Sequence, residues 1–236
     1  MDKPLAGRIA LVTGASRGIG AATAIALGGM GAQVVILART QGGLEETDDA
    51  IRAAGGQATL VGMDLTEGDT VDTLGPSLLQ RFGRLDILVH AAGALGKLTP
   101  APHILPKDWA EAVGVNLAAT WRLIRSCGPL LLAAPAGRAV FVTDTRAVEP
   151  KGYWGAYGAT KAGMENLVLS WADETRLSRL RINLFDPGPV ATRLRRQAMP
   201  GEDATALRKP HDVAPALAAL CLEGETRHGE RIAMVG

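Results

Sequence analysis

The chain has 236 residues, 47% of them hydrophobic and 21% charged, with Lys+Arg 25 against Asp+Glu 24 and a net charge of +1. That length allows one large α/β domain or two small ones, and the composition excludes disordered, collagen-like and coiled-coil classes. Balanced charge and an aromatic content of 4% leave neither the basic surface nor the stacking platforms of a nucleic-acid binder.

Short β-branched runs alternate with alanine-rich segments of helical length, the pattern of a parallel sheet covered on both faces. In chain order the predicted strands are Arg8–Thr13, Gln33–Ala38, Ala58–Gly62, Leu85–His90, Ala139–Thr143, Arg181–Phe185 and Arg231–Val235. Each is mostly continuous apolar, as a strand buried on both faces requires. Helices are predicted between them at Arg17–Met30, Leu44–Ala54, Asp69–Phe82, Lys107–Cys127, Ala156–Arg176 and Asp212–Leu222. No interval remains for a second domain, so residues 1–236 are expected to form one doubly wound, seven-stranded parallel sheet with helices on both faces.

Two places interrupt the pattern. Gly75-Pro76 falls inside the third helix, where proline removes a donor and clashes with the preceding turn, so that helix should kink or start late. The stretch Pro187 to Lys209 has no apolar period and reads as a loop over the carboxyl edge of the sheet, where open α/β sheets bind ligands.

Cys127 and Cys221 lack CxxC spacing and read as core residues of a protein in a reducing compartment. The N-terminal MDKPLAGRIALVTG has no long apolar stretch, and Leu130 to Ala136 is too short to span a bilayer. A cytoplasmic protein with no membrane partner is expected. His90, His103, His211 and His228 show no ligand spacing, so no metal site is expected and each histidine reads as solvated or hydrogen-bonded.

Thr13–Gly20, TGASRGIG, follows the first strand directly and opens the first helix. In such a turn, here Gly14, Ser16, Arg17, Gly18, Ile19 and Gly20, glycines let the backbone approach a pyrophosphate while the helix N-terminus offers unpaired N–H groups. No GK[ST] follows, which excludes a Walker A loop. About twenty residues further on, NAD-binding proteins carry an acid on the ribose 2′-hydroxyl. Here the second strand ends Ala38-Arg39-Thr40. Arg39 with Arg17 can clamp a 2′-phosphate, which favours NADP over NAD; otherwise Arg39 is a solvated strand-end charge.

Tyr157 and Lys161 stand at i and i+4, on one face of a helix. A phenol titrates near 10, and a cation within several ångströms lowers that value toward the range where it transfers protons at neutral pH.

TGASRGIG, Asp64-Leu65, HAAG at His90–Gly93, Asn116 in GVNLAAT, YGATK at Tyr157–Lys161 and DPGPVAT at Asp186–Thr192 resemble, in order and spacing, the classical short-chain dehydrogenase/reductases. The WGAY around Tyr157 and the arginines after Thr192 are similar to a bacterial subgroup of oxidoreductases of unassigned substrate. The resemblance implies a single-domain Rossmann fold, a homodimer or homotetramer, and NADP-linked interconversion of a carbonyl compound and an alcohol. Tyr157 would be the general acid/base, Lys161 would lower its pKa and hold the nicotinamide ribose, and Asn116 would anchor a water leading from the lysine. Asp64 with Leu65 would border the adenine, and Ala91, Ala92 and Gly93 would let the cofactor approach closely. Pro187, Gly188, Val190 and Thr192 would line the nicotinamide under a lid at about 187–209.

Three departures stand out. The family's Asn-Asn-Ala-Gly is here His90-Ala91-Ala92-Gly93, and the chain ends at Val235-Gly236 without the longer glycine-rich tail, which bears on assembly more than on chemistry. The family's catalytic serine sits thirteen residues before the tyrosine; that position is Asp144, and no serine lies between Cys127 and Leu169. An ionised Asp144 offers no donor and raises the phenol pKa. Either Thr143 or Thr145 supplies a hydroxyl instead, or Asp144 stays protonated and donates. A catalytically weak or inactive dinucleotide-binding protein, a scaffold or redox sensor, is the alternative. Arg193, Arg195 and Arg196 either attract an anionic substrate or form a solvated charge run.

Overall fold

A computed structural model describes residues 3–234. Its sheet has the order β3-β2-β1-β4-β5-β6-β7, every pair parallel. The strands are β1 (Ile9–Thr13), β2 (Gln33–Ala38), β3 (Gln57–Gly62), β4 (Ile87–His90), β5 (Arg138–Val142), β6 (Arg181–Asp186) and β7 (Glu230–Ala233). Val235, the predicted end of the last strand, and Gly236 lie outside the described residues.

Successive residues of a strand face opposite sides of the sheet, so each apolar run feeds two cores. In β1, Leu11 joins Leu88, Phe141, Leu123 and Val168 on one face, while Ala10 and Val12 join Ile36, Val89, Leu27 and Leu217 on the other. Helices α1 (Gly18–Gly29), α2 (Gln41–Ala53) and α9 (Pro210–Ala219) cover the second face. The first is covered by α3 (Gly68–Asp72), α4 (Leu74–Phe82), α6 (Ala119–Ala133) and α7 (Gly155–Glu174). None of the helices among the described residues is long and apolar enough to cross a membrane.

Several predicted boundaries move for physical reasons. The third helix is two helices, broken at Thr73, which puts Pro76 in the first turn of α4, where a missing N–H costs nothing. Gly75 is needed there because a Cβ would collide with the Ser126 carbonyl, and its N–H donates to Ser126 Oγ at 2.8 Å. The fourth predicted helix is α5 (Pro106–Ala112), a π-helical segment Val113–Ala118 and α6, which runs past Cys127 and through Pro129 to Ala133. The stretch read as a loop from Pro187 contains α8 (Arg193–Ala198), whose start is capped by Thr192 Oγ1 accepting from Arg195 N at 3.1 Å. A side-chain cap of this kind offsets the weak apolar pattern of a short helix.

Candidate active site

The chain order of the strands reverses between β1 and β4, whose carboxyl ends, Thr13 and His90, stand side by side. A cleft of about 1020 Å³ opens at that edge. It is at the upper end of single-ligand sites, about 300–1,000 Å³. Gly14, Ser16, Arg17, Gly18, Ile19, Gly20, Arg39, Asp64, Leu65, Ala91, Ala92 and Gly93 line one end. Thr143, Asp144, Thr145, Tyr157, Lys161, Pro187, Gly188, Val190 and Thr192 line the other. Of the predicted site residues, Asn116 does not line it.

At the first end, Gly14 has φ +67° and a Cβ there would lie 2.7 Å from Ala92 Cα. Only glycine lets β1 pass this close to the loop after β4. No side chain caps α1, so the N–H groups of its first turn point into the cleft mouth without a side-chain acceptor. Arg39 is 3.7 Å from Asp64 and 59% exposed, and Arg17 donates to Thr40 Oγ1 at 3.2 Å. Asp64 is also held by Thr66 N–H and Oγ1 at 2.9 and 2.8 Å. Burial pushes its carboxyl up, but the Thr66 hydrogen bonds and Arg39 outweigh this and leave it below the usual carboxylate range.

At the second end, α7 carries Tyr157 and Lys161 on one buried face. Trp154 packs edge-on against the tyrosine ring at 5.8 Å. The Tyr157 hydroxyl donates to Asp144 Oδ2 at 3.3 Å, while Lys161 Nζ, 6.0 Å from the ring centroid, donates to Val142 O at 2.8 Å. Burial, then Asp144, pushes the phenol pKa well above 10. The expected lowering by Lys161 is therefore not found: the carboxylate touches the hydroxyl and the ammonium does not. Burial brings Lys161 down to about 8, with Asp144, Glu165 and Asp186 pulling the other way.

Both threonine hydroxyls are turned to carboxylates. Thr143 Oγ1 donates to Glu165 Oε1 at 2.6 Å, and Thr145 Oγ1 donates to Asp186 Oδ2 at 3.0 Å. Asp144 Oδ1 accepts from Arg146 N–H at 2.8 Å, and Oδ2 lies 3.3 Å from the Tyr157 hydroxyl that donates to it. Asn116 sits in the π-helical segment below the cleft. Its Oδ1 accepts from Ala94 N at 2.8 Å, and its Nδ2 donates to Ala94 O and Thr160 Oγ1, each at 2.9 Å. The Asn116 side chain thus ties the loop after β4 to α7.

The family profile for short chain dehydrogenase matches residues 8–203. The chain belongs to the short-chain dehydrogenase family. It is 34% identical over 211 residues to the uncharacterized oxidoreductase YciK of Escherichia coli K12, covering 88% of this chain and 83% of that one. Among solved structures it is similar to a protein described as a short chain dehydrogenase of Shigella flexneri 2a complexed with NADP, at TM-score 0.93 and 32% identity, covering 99% of each chain. A second such protein, from Escherichia coli CFT073 and complexed with NADPH, matches at TM-score 0.91 and 32% identity over 98% of each chain.

Beneath the Tyr157–Lys161 end of the cleft in this short-chain dehydrogenase lies a network that sequence reasoning missed. Arg231 on β7 donates from Nε to Glu165 Oε1 at 3.0 Å and from an Nη to Asp186 Oδ2 at 2.6 Å. Asp186 Oδ1 accepts from Gly188 N–H at 2.9 Å, so the same carboxylate shapes the turn at Pro187–Gly188. The one available signal is Glu165, four residues after Lys161 on a buried helix face.

His90 is of the hydrogen-bonded kind rather than the solvated kind. It is fully buried, shares a 2.7 Å hydrogen bond between Nδ1 and Thr13 Oγ1, and its Nε2 has no partner among the described residues. Burial, then the Lys161 charge, lowers its pKa to about 3, so it is a neutral strut between β1 and β4. Both cysteines are buried, with thiols raised to about 12 by desolvation. No group of three metal-ligating side chains occurs among the described residues. Arg195 is held bidentately by Glu202 at 2.6 and 2.5 Å, while Arg193 and Arg196 are exposed.

Proposed function

We propose that this short-chain dehydrogenase is an NADP-preferring oxidoreductase that interconverts a small or medium-sized carbonyl compound and its alcohol. The observation that carries the reading is one continuous cleft running from an uncapped helix N-terminus, past Arg17 of the glycine turn and Arg39 at the end of β2, to a buried tyrosine–lysine pair. The residues present fit a dinucleotide: Cβ atoms at Gly14 and Gly20 would meet backbone where the cradle needs to be tight, and Thr192 closes over Gly18 from the opposite loop. When bound, that group supplies or takes up a hydride.

The chain's own residues do the rest. The first turn of α1 holds the pyrophosphate, Arg39 and Arg17 hold the 2′-phosphate, and Asp64 and Leu65 flank the adenine. Ala91, Ala92 and Gly93 form the floor, and Pro187, Gly188, Val190 and Thr192 border the nicotinamide. Tyr157 holds the proton that passes to or from the substrate oxygen, and Lys161 supports the ribose. Segment 187–209, stiffened by α8 and the Arg195–Glu202 pair, covers the substrate as a lid. The relatives solved with NADP and NADPH support the cofactor assignment. Exposed Trp109 (46%) and Trp121 (45%) on α5 and α6 support a homodimer or homotetramer built on those helices. The Asp144–Tyr157 contact favours a second reading, a dinucleotide-binding protein with little turnover.

Calorimetry tests the cofactor assignment. NADPH is expected to bind at least about tenfold more tightly than NADH, a difference of about 1.4 kcal/mol that one charge-assisted phosphate contact supplies. Arg39→Asp is expected to erase that margin. Equal affinities in the wild type would rule the assignment out.

A further inference from the structure

The catalytic end of the cleft offers acceptors where carbonyl reduction needs donors. Asp144 Oδ2 lies 3.3 Å from the Tyr157 hydroxyl, so a substrate atom within reach of that phenol is also beside a carboxylate. The neighbouring hydroxyls of Thr143 and Thr145 are turned to Glu165 and Asp186, and Lys161 is turned to Val142 O. Across the same end, α5 presents Asp108 and Glu111, and Asp108 Oδ2 is enclosed without a hydrogen-bond partner among the described residues. The nearby cations are committed or solvated: Arg195 is paired with Glu202, Arg146 reaches Glu149, and Lys97, Lys151 and Arg193 are exposed.

A ketone oxygen becomes negative as hydride arrives, and a carboxylate beside it opposes that charge. A protonated imine nitrogen starts positive, donates its N–H to the carboxylate and carries part of that charge into the transition state. Relative to free neutral imine, the same carboxylate therefore lowers the barrier. The edge-packed Trp154, which also lines the cleft, adds an aromatic surface suited to a cation.

We propose that this cleft takes a cationic carbon–nitrogen double bond, a protonated imine, in preference to the isosteric ketone, with Asp144 receiving the N–H. The inference rests on the hydride-transfer reading above and names its substrate class. In the step, the imine carbon gains a hydride with its electron pair, forming C–H. The carbon–nitrogen π pair becomes the nitrogen lone pair, the positive charge is discharged, and a secondary or primary amine leaves while the reduced nicotinamide is oxidised.

The test compares 2-methyl-1-pyrroline with cyclopentanone at pH 8, following NADPH absorbance. The imine is expected to show a kcat/KM at least about tenfold higher, and Asp144→Ser is expected to reverse that order. In parallel, binding of pyrrolidine, cationic at this pH, and of cyclopentanol to the NADP-loaded wild type is measured by calorimetry. Pyrrolidine is expected to bind at least about fivefold more tightly, and Asp144→Asn to remove the difference. Ketone turnover that exceeds imine turnover in the wild type overturns the inference and leaves the hydride-transfer reading standing. If neither compound consumes NADPH, the hydride-transfer reading fails, and the binding arm decides the rest. Equal binding of amine and alcohol then overturns cation recognition, and preferential amine binding lost in Asp144→Asn upholds it.

Discussion

Ketone turnover by the Asp144→Ser variant is expected to exceed that of the wild type about a hundredfold. Serine at this position places a hydroxyl within reach of the Tyr157 oxygen, where Asp144 Oδ2 now lies at 3.3 Å. One well-placed donor to a developing oxyanion contributes about 3 kcal/mol, which is roughly that factor. The change also removes the carboxylate that, after burial, is the largest cause of the raised phenol pKa. Both effects act in the same direction. The check is kcat for a fixed ketone panel with saturating NADPH. An unchanged or lower value would mean that Asp144 is not what limits carbonyl reduction here.

Arg231→Met is expected to destabilise the fold by about 3–5 kcal/mol, the usual cost of breaking a buried ion pair from one side. For a chain of this size that lowers the melting temperature by roughly 2–4 °C per kcal/mol. Arg231 is the cation that Glu165 and Asp186 share, at 3.0 and 2.6 Å, and both carboxylates are almost completely buried. Without it two like charges face each other beneath Lys161. The double replacement Glu165→Gln with Asp186→Asn, added to Arg231→Met, is expected to recover most of the loss, because the uncompensated charges are then gone. Urea denaturation of the three proteins decides the matter. A loss below about 1 kcal/mol in Arg231→Met would show that the network is a surface-like pair.

The sheet and the glycine turn were legible because each depends on local pattern. A run such as Val34–Ala38 must be buried on both faces, and glycines between a strand and a helix have few other uses. The π-helical segment was not legible, since Val113–Ala118 has ordinary helical composition and its extra residue is fixed by what Asn116 bonds to. The commitments of Thr143 and Thr145 were equally hidden. They depend on Glu165 and Asp186, whose orientation is set by Arg231, respectively 66 and 45 residues away along the chain. That His90 would be hydrogen-bonded rather than solvated was not legible, because it follows from its place at the end of a central strand beside Thr13. Asp144 was legible by counting back from Tyr157. That both its oxygens accept could be learned only from the geometry.

The most direct test of hydride chemistry at the Tyr157–Lys161 end of the cleft is ketone-dependent NADPH consumption by the wild type and by Tyr157→Phe, with calorimetric NADPH affinity measured for both. Loss of the phenol removes the one side-chain hydroxyl bonded to Asp144 among the described residues and the group assigned to move the proton. General acid–base catalysis contributes about 10²–10⁴-fold. The account predicts a loss of a hundredfold or more in NADPH consumption with NADPH affinity unchanged. Equal rates in the two proteins would contradict it.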